Sequence, residues 1–285
     1  MQLNGIDVYN NHGKIDWNKV KASGVSFVMC KASQGSKLSD PSSPPFEDVN
    51  FGEYIKGATK SGIHCGAYHY LTALTPEKAE KEAEFFVKTL QKYQSQIVYP
   101  CALDLEGDMY KKNSKAQNTK LVKVFTDKVK SAGFIPMLYT NLDFYQNCYN
   151  IKDLVGLDIW FARYYKDRSP NPKPDIQGIT MFQWTDSGTV NGISSKVDLN
   201  VSYVDYSKIT KPSDTTFNVG DTVVFTDKAV TYWPNGPKIP DYVRKKSYKI
   251  TQTQSKGKDF IMEGAKCVLL GEINTWTAMD NIQKV

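Results

Sequence analysis

Eight short apolar runs, separated by longer stretches of mixed polarity, fill the first 208 residues. They are Leu3–Tyr9, Val25–Ala32, Ile63–Leu71, Val98–Leu105, Phe134–Thr140, Leu157–Tyr164, Ile179–Thr185 and Val197–Val201. Each is nearly continuous in apolar residues. That is the pattern of a strand covered on both faces, and so of a parallel sheet with helices outside it. Two intervening stretches read clearly as helices. Pro76–Tyr93 has Thr75 to cap it, proline at its first position and Glu77 near its positive end. Ala116–Ala132 carries Leu121, Val122, Phe125 and Val129 at helical spacing and is closed by Gly133. The fold class predicted is α/β, an irregular TIM-like (β/α) barrel. Eight strands in about 208 residues lies near the lower length limit for such a barrel, so some helices are expected to be short or missing. Lys166–Pro174 reads as a loop.

The pattern changes after residue 208. Residues 209–216 read as a linker, and residues 217–285 as a small all-β barrel domain. Short runs rich in Val, Thr and aromatics (Thr222–Thr226, Tyr248–Thr253, Lys266–Leu270, Ile273–Thr277) are separated by turn residues at Asn235-Gly236, Gly257 and Gly264. At 40% hydrophobic and 23% charged, the 285-residue chain is neither disordered nor a coiled coil. Its net charge of +6 is too mild to argue for a nucleic-acid partner. No run approaches the ~20 residues needed to span a bilayer, so no membrane insertion is expected. The opening MQLNGIDVYNNHG lacks the charge and apolar core of an export signal. The five cysteines are scattered with no CxxC, so reduced thiols are expected and a disulfide framework is not.

Four acids stand near the ends of apolar strands: Asp7 (GIDVY), Asp104 and Glu106 (ALDLEG) and Asp198 (KVDLN). In a parallel barrel the carboxyl ends of the strands face the active site. Asp104 and Glu106 are two apart, so they point the same way, while Leu103 and Leu105 point to the helix layer. Burial and mutual repulsion in such a pair raise one pKa and leave the other group ionised, the division of labour that glycoside hydrolysis needs. Loop capping and metal binding are rival uses of clustered acids. Against metal, there is no EF-hand or H-E-x-x-H spacing, and His64 and His69 fall on opposite faces of one strand. His69 has two open readings, a hydrogen bond in the barrel mouth or a packed structural role. Tyr68, Tyr139, Trp160 and Trp184 gather near the same strand ends. They suit either the faces of sugar rings or the core.

These segments together resemble glycoside hydrolase family 25. The resemblance runs through GIDVYNNHGKIDWNKVKASGVSFVMCKASQG (5–35), KSGIHCGAYHY (60–70), ALDLEG (102–107), PMLYTN (136–141), IWFARY (159–164) and FQWTDSGTVNGISSKVDLN (182–200). It implies a lysozyme, an N-acetylmuramidase cleaving the β-1,4 bond between N-acetylmuramic acid and N-acetylglucosamine with retention. It implies Glu106 as proton donor, Asp104 as its partner, and Asp7 and Asp198 as the other acids of the site. It places Tyr68, Tyr139, Trp160 and Gln183 where sugar is touched. It implies no metal or other cofactor. Family 18 chitinases are a related alternative, but Tyr99 and Ala102 stand where their earlier acids would be. The segment NVGDTVVFTDKAVTYWPNGPKIPDYVRKKSYKI, followed by CVLLGEINTWTAMDNI, is similar to bacterial Src-homology-3-like wall-binding modules. That implies peptidoglycan as the partner and makes Tyr232, Trp233, Tyr242 and Trp276 candidate wall contacts. The absent leader and the thiols favour a phage endolysin, made in the host cytoplasm and released to the wall through a holin. A bacterial autolysin and a non-catalytic wall-binding protein are the alternatives.

Overall fold

The computed structural model describes residues 2–209, 217–226, 229–255, 257–263 and 265–285. The chain divides into two compact units, Met1–Lys211 and Pro212–Val285. Apart from Ile209, the linker expected at 209–216 lies outside the described residues, as does Gly264.

The first unit runs β1 (Leu3–Val8), α1 (Trp17–Ala22), β2 (Phe27–Gln34), β3 (Phe46–Glu47), α2 (Phe51–Lys60), β4 (His64–Tyr70), α3 (Pro76–Gln91), β5 (Ile97–Asp104), α4 (Lys115–Ser131), β6 (Pro136–Asn141), α5 (Leu142–Asn147), β7 (Asp158–Ala162), β8 (Ile179–Gly188) and β9 (Val197–Ser202). Pairing proceeds β1-β9-β8-β7-β6-β5-β4-β2, and β1 also pairs with β2, so eight strands close into a barrel-like ring with β3 appended to β2. Each of the eight expected runs overlaps one of these strands. The clearest helices begin as their caps dictate. Thr75 accepts from the Lys78 amide and Pro76 opens α3. Ser114 and Gln117 form a reciprocal capping box at the start of α4.

The ring departs from the all-parallel expectation at one strand. β9 runs antiparallel to both β8 and β1. Only a short loop joins β8 to β9, too short for the helical crossover that a parallel pair requires. No helix connects β7 to β8 either, as the proline-rich loop implied.

Strand alternation, interrupted by register shifts at several pairings, sorts most side chains into two clusters. Ile6, Val8, Val28, Cys30, Leu103, Leu138, Phe161, Phe182 and Val201 face outward into the main core, shared with the helices. Phe27, Met29, Tyr99, Ala102, Met137, Trp160, Met181 and Tyr206 fill the barrel interior as a separate cluster. All five cysteines are buried as reduced thiols. No described helix is long and apolar enough to cross a membrane.

The second unit contains β10 (Thr222–Phe225), α6 (Asp241–Arg244), β11 (Ser247–Gln252), β12 (Gln254–Ser255), β13 (Lys258–Met262), β14 (Ala265–Leu270), β15 (Thr275–Ala278) and β16 (Ile282–Lys284). All pairings are antiparallel, in one curled sheet around Phe217, Val223, Tyr248, Ile250, Val268 and Leu270. The strand expected at Ile273–Thr277 starts at Thr275, because Gly271–Ile273 form a 3-10 turn and Asn274 takes a left-handed conformation.

Candidate active site

The interior cluster is a floor. Above it, the next inward residues of the strands are polar. On β1, Asp7 follows Gly5, whose missing side chain leaves room for the Phe27 ring; a Cβ there would lie 2.3 Å from it. On β5, Asp104 follows Ala102, and on β8, Gln183 follows Met181. On β9, Asp198 and Asn200 share the inward face. Asp198 begins its strand, yet the reversed direction of β9 brings it to the same end of the ring as the other acids. It is the direct cross-strand neighbour of Asp7.

Asp7, Asp198, Gln183 and Asn200 form one buried network. Gln183 Nε2 donates to Asp7 Oδ2 at 2.9 Å and to Asp198 Oδ2 at 3.3 Å. Asn200 Nδ2 donates to Asp7 Oδ2 at 2.8 Å. Gln183 Oε1 accepts the hydroxyls of Tyr139 at 3.0 Å and Tyr164 at 2.9 Å. Trp160 Nε1 donates to Asn200 Oδ1 at 2.7 Å. Burial raises the Asp7 carboxyl, against the pull of its amide donors. Burial and the neighbouring Asp7 charge push Asp198 up to about 8, and in its acid form it hydrogen-bonds to Asp7. Burial and repulsion from neighbouring acids thus hold both carboxyls above the usual carboxylate range.

Asp104 and Glu106 form the second pair. Asp104 is buried, and its Oδ1 has no hydrogen-bond partner. Burial first, then the charge of Glu106, hold it well above the usual carboxylate range. Glu106 is half-buried and is raised by burial, then by the charge of Asp198. The Lys31 ammonium opposes both shifts. A buried polar atom normally finds a partner, and Asp104 supplies the one carboxyl oxygen among the described buried atoms that does not.

The aromatic expectations divide. Tyr68 and Tyr139 are half-buried and meet the Trp160 ring edge-to-face at 5.9 and 4.7 Å. Trp160 is itself only 2% exposed and belongs to the floor, supporting these tyrosines from beneath. Gln183 is equally buried and orients Asp7 and Asp198. Trp184 is a correction: one residue from Gln183, it points to the opposite face and packs on the outer core. This packing is at a point where the register of β8 against β9 shifts, between Gln183 and Thr185. His69 is also outward. It is fully buried between Ser33 Oγ (2.8 Å) and Glu82 Oε2 (2.9 Å), beside Phe86 and Phe125, which is the structural reading. Among the described residues no group of three or more His, Cys, Asp or Glu could hold a metal ion.

Sequence reasoning missed Asn200 and Lys31. Both were marked by parity, Asn200 two residues beyond Asp198 and Lys31 two beyond Met29. In the second unit, Tyr242 is 71% exposed. Tyr232 packs against the core and meets Phe225 edge-to-face, Trp233 is half-buried beside Tyr232, and Trp276 stacks on Phe260 at 4.1 Å.

An α/β unit built on a barrel-like strand ring, with paired carboxyls at one end, has the arrangement that glycosidases use. The chain belongs to glycosyl hydrolases family 25, whose pattern it matches across residues 6–193. It is 35% identical over 200 residues to an autolytic lysozyme of Clostridium acetobutylicum, covering 70% of this chain and 55% of that protein. The match thus spans little more than half that relative's length. A family 25 glycosyl hydrolase of Bacillus anthracis is 28% identical with a TM-score of 0.57, covering 71% of this chain and 89% of that one. The CTP1L endolysin is 25% identical with a TM-score of 0.55, covering 71% and 66% respectively.

Proposed function

We propose that the chain is a peptidoglycan hydrolase, an N-acetylmuramidase that cleaves the β-1,4 bond between N-acetylmuramic acid and N-acetylglucosamine. The observation that carries this reading is the unpartnered, buried Asp104 carboxyl beside the half-buried Glu106, both raised. Such a pair takes up a proton more readily than isolated carboxyls do. Positive charge developing on the sugar favours the ionised form of Asp104, and the shared proton then sits on Glu106. Glu106 delivers it to the glycosidic oxygen and next activates water, while Asp104 stabilises the sugar cation directly or through its acetamido group. Asp7 and Asp198, clamped by Gln183, line the opposite side of the cup. Tyr68 and Tyr139 offer their ring edges to sugar. In fold terms this is an irregular TIM-like barrel over residues 1–208.

Residues 217–285 read as a small Src-homology-3-like barrel that holds the enzyme on the wall, raising its effective concentration on an insoluble polymer. Exposed Tyr242 and neighbouring Trp233 are the leading contacts. The likeness to an endolysin and five reduced thiols support a phage endolysin, made in the host cytoplasm and released to the wall through a holin. The likeness to an autolytic lysozyme supports a bacterial autolysin with the same chemistry.

The test is clearance of Gram-positive walls, with mass spectrometry of the products. Muramic acid at the new reducing end supports the reading, and glucosamine there overturns it. Glu106→Gln is expected to lower cleavage by roughly 10²- to 10⁴-fold. Equal clearance by both proteins removes Glu106 from its role.

A further inference from the structure

The inward faces at the barrel mouth carry one ammonium among the acids. Lys31 follows Phe27 and Met29 at two-residue intervals on β2, so it points inside, above the floor. Register places it beside Tyr68 of β4, while Tyr70 of the same strand lies beside Asp104. Its Nζ stands 5.4 Å from the centroid of the Tyr70 ring and 6.0 Å from that of Tyr9. It donates to Gln34 Oε1 at 2.8 Å.

That partner is a neutral amide, and among the described residues no carboxylate lies within ion-pair distance of Nζ. Lys31 is half-buried, and an ammonium partly withdrawn from water ordinarily gains from a carboxylate at contact. Here the charge stays uncompensated and acts at longer range on Asp104, Asp48 and Glu106. Around the mouth, β1 and the turn after it supply Asp7, Tyr9 and His12, and the segment before α2 supplies Asp48. Tyr68 and Tyr70 come from β4, Asp104 and Glu106 from β5, Tyr139 from β6, and Tyr164 from the loop after β7. Asp186 and Asp198 complete the set from β8 and β9. His12 is the other basic group, and its Nδ1 bonds to the Tyr9 backbone.

We propose that Lys31 is a positioning residue for glycan cleavage: held by Gln34 and two tyrosine faces, its uncompensated charge determines how many protons Asp104 and Glu106 carry. The inference rests on the muramidase reading for the reaction, but its physical content concerns the free protein. Removing a positive charge favours the neutral carboxyls. Both carboxyls then titrate at higher pH, and both limbs of the pH profile of cleavage move upward together. Gln34→Glu keeps the hydrogen bond but quenches the charge, so it acts in the same direction as Lys31→Met. Lys31→Arg keeps the charge.

The experiment is a carbon-13 NMR titration of the side-chain carboxyls in the full-length protein without substrate. Asp104→Asn and Glu106→Gln spectra assign the signals. Lys31→Met should raise the midpoints of Asp104 and Glu106 by roughly one unit. Gln34→Glu should raise them less, and Lys31→Arg should leave them near the parent values. The acid limb of kcat/KM on walls should move in step. Unchanged midpoints in Lys31→Met, or in Gln34→Glu where Lys31→Met does not fold, overturn the proposal. So does Lys31→Arg behaving like Lys31→Met. A parent protein that cleaves no wall at any pH overturns the muramidase reading instead, and the titration still decides the role of Lys31.

Discussion

Gln183 and Asp7, 176 residues apart in the chain, are joined by a 2.9 Å hydrogen bond inside the barrel mouth. The same amide reaches Asp198, and its carbonyl oxygen takes the hydroxyls of Tyr139 and Tyr164. One neutral side chain thus orders two acids and two tyrosines drawn from four separate segments.

Gln183→Met keeps the approximate volume and removes every one of these bonds. Asp7 loses one of its two amide donors, and the Tyr139 hydroxyl loses its acceptor. We expect a stability loss of about 1–3 kcal/mol, measured by urea unfolding. Cleavage should fall by roughly 10- to 100-fold as the acids lose alignment. An unchanged unfolding midpoint would show that the network contributes nothing to the fold.

Asp198 imposes a pH dependence on stability. Its folded-state pKa, about 8, is raised above the unfolded value, so the folded protein binds the proton more tightly. The stabilisation is fully present below the unfolded pKa and is lost as pH rises through about 8. The parent Tm should therefore decline as pH rises from about 4 to about 8 and level off above that. Asp198→Asn should flatten that decline while impairing cleavage. A parallel decline in both proteins would remove Asp198 as its source.

In the second unit the four candidate aromatics should separate by burial. Tyr242→Ala should weaken wall retention at constant Tm, since its ring is largely exposed. Trp276→Ala should lower Tm as well, because the ring stacks on Phe260. A chain ending at residue 208 should still cleave soluble glycan but bind walls poorly. Full retention by that shortened chain would end the anchoring role.

The strands of the first unit were legible because each apolar run is buried on both faces. The helix starts at Thr75 and Ser114 follow from local capping chemistry, Thr75 being readable in advance. The ends of β2 were harder to read, since Ser33 and Gln34 are polar and earn their place through partners on other elements. The inward direction of Asp104 was readable from alternation. The same rule, applied one residue further along β8, would have turned Trp184 away from the site.

The eight-run architecture, and the facing of residues along the regular stretches of each strand, could be read from the chain alone, because burial and alternation are local properties; the register shifts on β2, β5 and β8 could not. The reversal of β9, which sets Asp198 against Asp7, emerges from the folded packing. Only closure of the ring decided that Gln183 and Asn200 bridge the acids, and that Lys31 stands among them without a carboxylate at contact. Those relations depend on distances between remote segments, and the charge of each acid depends in turn on those distances.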